Sequence, residues 1–334
     1  MAMRLDALLK IAKRRRLDQV AVTGQADIFA LTGVNTDNGI LTADALYTDF
    51  RYIPAARRVA PGLKVLDIKR FKPGGKRIGC SFGMSHAKFL ALKEKAPRAK
   101  FVDLSDDLAA VRAVKTPDEI VRIRAAERLA CEIWEDSRAK FEAGMSERQM
   151  AAVIKKMMID RGEGEAFSTI VCVGANAAEC HHEPDDTVWN GREPVLVDMG
   201  VRLDGVCSDL TRNIPPKRRG GLYSKVYDLV LQANLAAIAA AKPGITGRQL
   251  DKVARDVIRK GGFGKCFGHS LGHGVGVEIH ESPYASRKSD TALEPGMVVT
   301  IEPGIYLEDN LGVRIEDLVL ITETGCEVLS PTAK

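Results

Sequence analysis

Two segments of this chain repeat each other one hundred residues apart. G-M-S-E-R-Q-M-A-A-V at 144–153 and G-I-T-G-R-Q-L-D-K-V at 244–253 share Gly, Arg, Gln and Val in one register, and Gly162 and Gly164 recur as Gly262 and Gly264. In each, a Ser or Thr is followed three residues later by Gln, a capping box that satisfies two of a helix's orphan N–H groups. A register kept over that distance implies duplication. The stretch beyond residue 110 therefore reads as two related halves, 110–215 and 216–334.

The first half ends in Val195–Ile214, V-L-V-D-M-G-V-R-L-D-G-V-C-S-D-L-T-R-N-I. Two apolar, β-branched runs flank Asp204–Gly205, and Asp-Gly suits the type I′ hairpin turn because both positions need positive φ. A two-residue loop pairs Leu203 with Val206 and Gly200 with Asp209. Side chains alternate along a strand, so Asp198 and Asp209 then share a face as diagonal neighbours, roughly 7–8 Å apart at the backbone. A three-residue loop would put them on opposite faces. Two carboxylates so placed repel each other unless a cation lies between them.

Duplication predicts a counterpart. Val298–Glu302 and Val313–Glu316 are two strand-like runs that each end in a carboxylate, and His181 returns as His280. Each half is thus expected to contribute a strand pair with two acids and a histidine to one cleft. Oxygen-rich ligation of this kind suits hard divalent ions such as Mn²⁺ or Mg²⁺ better than a closed structural zinc site. The six histidines lie at 86, 181, 182, 269, 273 and 280, three of them in G-H-S-L-G-H-G-V-G-V-E-I-H-E (268–281). His269 and His273 are four apart, but Gly272, Gly274 and Gly276 oppose a helix, and Val275, Val277 and Ile279 alternate as in a strand. Three histidines in twelve positions beside a carboxylate pair mark a site. His86 has no such neighbours and is given no role.

A chain of 334 residues exceeds what one core usually holds. Before residue 105, helix-like stretches at 3–17 and 85–95 alternate with strand-like runs at 20–22, 39–41, 63–68, 77–80 and 100–102. They predict a small α/β domain over 1–109 without a metal or nucleotide motif. Thr116-Pro117-Asp118-Glu119 then opens a helix expected to run through Phe141 and stop at Gly144. Net charge is +5, with the densest basic clusters at Lys13–Arg16 and Lys217–Arg219. Neither has aromatic interleaving or a groove-binding motif, so solvated faces are expected rather than nucleic-acid binding. Seven cysteines without a C-x-x-C point to reduced thiols. No apolar run reaches the ~20 residues of a membrane span, and no signal-peptide core follows the N-terminus, so a cytoplasmic location is expected.

The motifs V-D-M-G…S-D-L-T-R, G-H-G-V-G-V-E-I-H-E, I-E-P-G-I-Y and V-R-I-E-D together resemble the pita-bread metallopeptidases: methionine aminopeptidase, aminopeptidase P and prolidase. Y-T-D-F-R-Y (47–52) and V-K-T-P-D-E-I (114–120) are similar to the N-terminal domain and linker of the aminopeptidase P and prolidase branch. The resemblance implies an α/β (α+β) protein, with a creatinase/prolidase-like N-terminal domain at 1–109 and a pita-bread catalytic domain of two pseudo-symmetric halves at 110–334. It implies two divalent metal ions, Mn²⁺ first, with Co²⁺, Zn²⁺ or Fe²⁺ as alternatives. By that resemblance Asp198 chelates one ion, His273 and Glu302 hold the other, and Asp209 and Glu316 bridge them. Glu302 would also carry a proton to the leaving nitrogen. His181 and His280 would bind the substrate carbonyl, with His181 preferred over His182 on the family's spacing to Asp198. His269 would shape the substrate pocket.

The implied activity is hydrolysis of the Xaa-Pro bond in short proline-containing peptides, as an Xaa-Pro dipeptidase. Prolidases often carry an Arg after H-E-x-P, where it can fork onto a free substrate carboxylate. Here that position is Tyr284, so Arg314 or Arg287 would have to supply the charge. Tyr284 instead suits an aminopeptidase P acting on longer peptides, the second reading. A non-peptidase enzyme of the same fold, acting on a small amino-acid-like substrate, is the third. A metal-free binding module is disfavoured because all five ligands are present. The family also implies a homodimer, and neither nucleic acid nor membrane is expected as a partner.

Overall fold

In the computed structural model, which describes residues 4–218 and 220–334, helices and strands alternate from the start. The order runs α1 (Leu5–Arg15), β1 (Gln19–Val20), α2 (Gln25–Thr32), β2 (Gly39–Leu41), β3 (Ala45–Thr48), α3 (Ile53–Val59), β4 (Lys64–Asp67), β5 (Arg77–Cys80), α4 (His86–Lys95), β6 (Lys100–Asp103) and α5 (Ser105–Ala113). The chain divides into two units after Arg112, in the last turn of α5. In the first unit β5 lies between β1 and β6, all parallel, while β3 pairs antiparallel with β2 and parallel with β4. Leu8, Ile28, Leu31, Leu41, Leu46 and Leu104 form its core. The basic cluster at 13–16 is partly structural, since Arg14 and Arg15 both pair with the buried Asp107. In the other cluster Arg219 lies outside the described residues.

The second unit is built twice. Its first half holds α6 (Pro117–Arg138), α7 (Glu147–Arg161), β7 (Ile170–Val173), β8 (Val195–Met199), β9 (Arg202–Leu203), β10 (Val206–Cys207) and β11 (Leu210–Ile214). The second half repeats the order in α8 (Gly221–Ala240), α9 (Gly247–Lys260), β12 (Gly272–Gly274), β13 (Glu281–Ala285), β14 (Val298–Ile301), β15 (Gly304–Leu307), β16 (Leu311–Arg314), β17 (Asp317–Ile321) and β18 (Cys326–Val328), with β13 and β18 added as edge strands. In both halves a three-strand core is antiparallel, β11-β8-β7 in one and β17-β14-β12 in the other. A small inner hairpin, β9-β10 or β15-β16, separates the two long strands each time.

The helix starts repeat as closely. Ser146 and Thr246 form capping boxes with Gln149 and Gln249. Gly144 and Gly244 both take positive φ, donating to the carbonyls of Trp189 and Leu293. Thr116 closes a third capping box, with Glu119. The helix it opens ends at Arg138, earlier than expected. Phe141 lies beyond it and turns into the core shared with Trp134, so a residue that reads as helical periodicity belongs to the connection.

The hairpin register is the one predicted for a two-residue loop. Asp204 and Gly205 have φ of 49° and 72°, Leu203 pairs with Val206, and the same register carries on to Met199 with Leu210 and Asp198 with Thr211. Two expectations in the second half need correction. The strand beside β14 is β17, with Ile301 opposite Asp317, whereas Val313 and Arg314 belong to the inner hairpin. Glu316 therefore sits between strands. The alternating run Val275–Ile279 is not a strand: β12 stops at Gly274 after a register shift, and an irregular loop follows.

Gly200 lies between the two acids of the first hairpin, where a Cβ would come 2.2 Å from the Ser208 carbonyl oxygen and 2.7 Å from the Phe167 ring. Gly200→Ala is therefore expected to lower unfolding free energy by about 1–3 kcal/mol in a urea titration. A change below about 0.5 kcal/mol would show that the strands can part there without cost.

Candidate active site

Strand ends and loops of both halves converge on a cleft of about 500 Å³ lined by Asp198, Asp209, His273, Glu302, Glu316 and Arg314. Asp198 points in from β8 and Asp209 from the residue before β11. His273 is the middle residue of β12, Glu302 follows β14, and Glu316 precedes β17. Gly272 lets β12 run close to β14, since a Cβ there would lie 2.0 Å from the Thr300 carbonyl oxygen. That close approach sets His273 beside Glu302, with Nε2 3.3 Å from Glu302 Oε1 and 3.5 Å from Asp209 Oδ2. Ligand atoms of Asp209, His273 and Glu316 all lie within 4.8 Å of one another.

Second residues hold the acids in place. Thr211 Oγ1 donates to Glu316 Oε2 at 2.7 Å, and Thr300 Oγ1 donates to Glu302 Oε1 at 3.1 Å. Neither threonine stands out from composition, yet each lies two residues from an acid in a strand-like run and so shares its face. Arg314 Nη2 reaches Asp198 Oδ2 at 2.6 Å, and its Nη1 donates to the Tyr306 hydroxyl at 2.9 Å. That hydroxyl lies 2.8 Å from His269 Nε2, while His269 Nδ1 faces the Ser270 carbonyl at 2.8 Å. The Nδ1–H tautomer of His269 satisfies both contacts. Arg314 lines the cleft as expected of it, but its guanidinium is engaged by Asp198 and Tyr306 rather than open to a ligand. Tyr284 is exposed on β13 and also faces the cleft. Arg287 is exposed and is not among the lining residues.

Burial and mutual repulsion decide the charge state. Burial, then the neighbouring Glu316, Asp198 and Glu302, push the Asp209 carboxyl well above its ordinary range. Glu316 is raised in the same way by burial and by Glu302 and Asp198. For Glu302 burial also favours the neutral acid, but the hydrogen bond and charge of His273 outweigh it and hold the group low. Glu127, fully buried on α6, accepts from the Asp209 backbone N–H and from Ser330, and burial pushes it up to about 7. Asp198 Oδ1 is buried without a hydrogen-bond partner among the described residues. An orphaned carboxylate oxygen, four clustered acids and one imidazole are the donor set a pair of divalent cations requires, so the residues fit such ions.

The two histidines that sequence could separate only by spacing differ in place. His181 is exposed at the cleft, while His182 is buried, its Nε2 2.7 Å from Glu147 Oε2. Glu147, His182 and Asp185 form a second group of ligand-type atoms. Glu147 is occupied already, by the N–H groups of Val173 and Asp185 and by the Asn176 amide. His280 lies across the cleft, its ring 4.3 Å from that of His273. Burial, then the neighbouring imidazoles His273 and His181, lowers its pKa.

Comparison with known proteins places the chain in a family. The model of metallopeptidase family M24 matches residues 121–323, and that of the creatinase/prolidase N-terminal domain matches 4–114. The chain is 42% identical to an Xaa-Pro dipeptidase of Pyrococcus furiosus over 210 residues, which span 61% of this chain and 60% of that protein. It is similar in structure to a prolidase from Pyrococcus furiosus, with a TM-score of 0.91 and 33% identity over 98% of this chain and 100% of the other. It is also similar to an X-Pro aminopeptidase from Thermotoga maritima, with a TM-score of 0.87 and 30% identity over 97% and 98% of the two chains.

A raised carboxyl pKa in the folded state means that the folded protein holds protons the unfolded chain would lose. That stability is present below the ordinary carboxylate range and is lost as pH rises toward the folded value. Metal-free Asp209→Asn is therefore expected to be more stable than metal-free wild type at pH 7, by on the order of 1–3 kcal/mol. The difference should shrink below pH 4. A variant less stable than wild type at pH 7 would mean that Asp209 is not under charge repulsion.

Proposed function

The chain belongs to metallopeptidase family M24, and from that premise we propose that it is a metal-dependent peptidase cleaving the Xaa-Pro bond of short peptides, foremost as an Xaa-Pro dipeptidase. The observation that carries the reading is the convergence of five ligand-type side chains with His181 and His280 on one cleft. Asp198 would hold one divalent ion, His273 and Glu302 the other, with Asp209 and Glu316 shared between them. Bound there, the ions would supply Lewis acidity that lowers the pKa of water and polarises a carbonyl. Mn²⁺ is the proposed occupant, with Co²⁺, Zn²⁺ or Fe²⁺ also suited to carboxylates and one imidazole.

The chain's own groups do the rest. Glu302, held ionised by His273, accepts a proton from the attacking water and returns it to the proline nitrogen as the C–N bond breaks. His280, kept neutral by burial, offers an N–H to the oxyanion together with His181. His269, fixed by Tyr306 and Ser270, forms one wall of the substrate pocket, and Tyr284 another. An Xaa-Pro bond lacks the N–H through which many peptidases dock a strand. A site that grips the carbonyl and packs the ring needs no such donor.

Arg314 is the only Lys or Arg among the described residues lining the cleft, and Asp198 engages it. This favours, as a second reading, an aminopeptidase P that takes longer peptides without a nearby carboxylate to anchor. As a dipeptidase, the enzyme would have to free Arg314 from Asp198 to anchor that carboxylate. We further propose domain limits of 1–109 and 110–334 and a homodimer, which the family resemblance supports, and a cytoplasmic location. No helix among the described residues is long and apolar enough to cross a membrane.

The test offers Mn²⁺-loaded protein an Xaa-Pro dipeptide, an Xaa-Pro-Yaa tripeptide and a matched Xaa-Ala dipeptide, with products followed by chromatography. Cleavage of the Xaa-Pro dipeptide with the Xaa-Ala control intact is the expected result, and preference for the tripeptide selects the second reading. Cleavage of none of the three by metal-loaded protein contradicts both. His280→Ala should lower kcat by about 10²–10³ while leaving Mn²⁺ affinity unchanged. A matching loss of metal affinity would instead place His280 among the ligands.

A further inference from the structure

His181 and His280 must be presented to a substrate at fixed positions, yet among the described residues no hydrogen bond reaches either ring. The residue that follows each one is buried and bonded. After His280 comes Glu281, buried, whose Oε1 accepts from Lys115 Nζ. Lys115 is itself almost fully buried, and its backbone N–H donates to Gly296 at 2.9 Å. The irregular loop 275–280 is draped over this pair: a Cβ on Gly276 would come 2.4 Å from Glu281 Oε1 and 2.9 Å from Lys115 Nζ. Glu281 Oε2 also accepts from the Glu278 N–H at 3.4 Å. The loop that ends in His280 thus packs directly over a buried ion pair and is bonded to it.

The other half repeats the device. After His181 comes His182, bonded to Glu147 at the first turn of α7. The same carboxylate accepts from the N–H groups of Val173 and Asp185 and from the Asn176 amide, tying down both ends of the segment that carries His181. We propose that Lys115 is a positioning residue for His280, acting through its buried ion pair with Glu281, as Glu147 is for His181 through His182. The proposal rests on the reading of these two histidines as the groups that meet the substrate.

The physical reason is the cost of a lone buried charge. With Lys115 neutral, the buried Glu281 carboxylate loses its ammonium partner, which favours the entry of water or a proton beside it. Either opens the loop above it, and a displacement of about 1 Å at a catalytic group can cost two orders of magnitude in rate.

The test uses Lys115→Met in the full chain. Exchange of the amides in 275–280, followed by mass spectrometry, should quicken at least tenfold while α7 is unaffected. Mn²⁺ affinity should stay within twofold of wild type, and kcat on the peptide the wild type cleaves should fall at least tenfold. In a His280→Ala background the same substitution should change kcat less than twofold, because the residue acts through that imidazole. An equal loss in both backgrounds, or unchanged exchange in the loop, overturns the proposal. Should Lys115→Met not fold, Glu147→Gln with His181→Ala, read over 174–185, applies the same criteria to the other half. If the wild type cleaves no peptide, the functional reading fails, and the exchange measurement alone still decides whether the ion pair shapes the loop.

Discussion

Repulsion among Asp198, Asp209, Glu302 and Glu316 is the constraint on which the rest of this structure depends. Among the described residues two cationic side chains reach the group: Arg314 on Asp198, and His273 on Glu302 and, at 3.5 Å, on Asp209. Burial and the neighbouring acids still drive the pKa values of Asp209 and Glu316 up, which favours their protonated forms. Burying such a set without a counterion costs stability. A fold keeps it only where cations offset that cost, and the threonines that orient Glu302 and Glu316 suit carboxylates that must stay aimed at one point.

Duplication solves the assembly problem. A hairpin can place two acids on one face, but it cannot by itself surround an ion. Two copies of the unit, each a helix pair packed on three antiparallel strands, bring two such faces together. The halves then diverge. The first supplies a diagonal Asp pair on a tight hairpin, with a type I′ turn at Asp204–Gly205. The second supplies Glu302 and Glu316 at strand ends, plus the chain from Arg314 through Tyr306 to His269. Symmetry builds the cage, and its breaking gives the cleft distinct sides.

How much of this was legible from sequence follows from the range of the interactions. The hairpin register, the three capping boxes and the duplicated order are local or periodic features, and the residues name them directly. The four acids Asp198, Asp209, Glu302 and Glu316 followed from the hairpin and its duplicated counterpart, whereas His273 joined them through the family resemblance. The partner of β14 was not, because the inner hairpin β15-β16 separates β14 from β17 and resembles a strand pair of its own. The run 275–279 alternates like a strand, yet tertiary packing bends it around Lys115 and Glu281. Those two residues are 166 positions apart, and Glu147 and His182 are 35 apart. Contacts of that kind leave no trace in periodicity or spacing. Nor could spacing show that Arg314 would be taken up by Asp198, which alters what it can offer a ligand.

The central claim is that the five side chains hold two cations between the halves. Anomalous diffraction from a crystal of the protein grown with Mn²⁺ tests it most directly. The account predicts two peaks about 3.5–4 Å apart, both in contact with Asp209 and Glu316. A single peak, or manganese at Glu147, His182 and Asp185 instead, would contradict it.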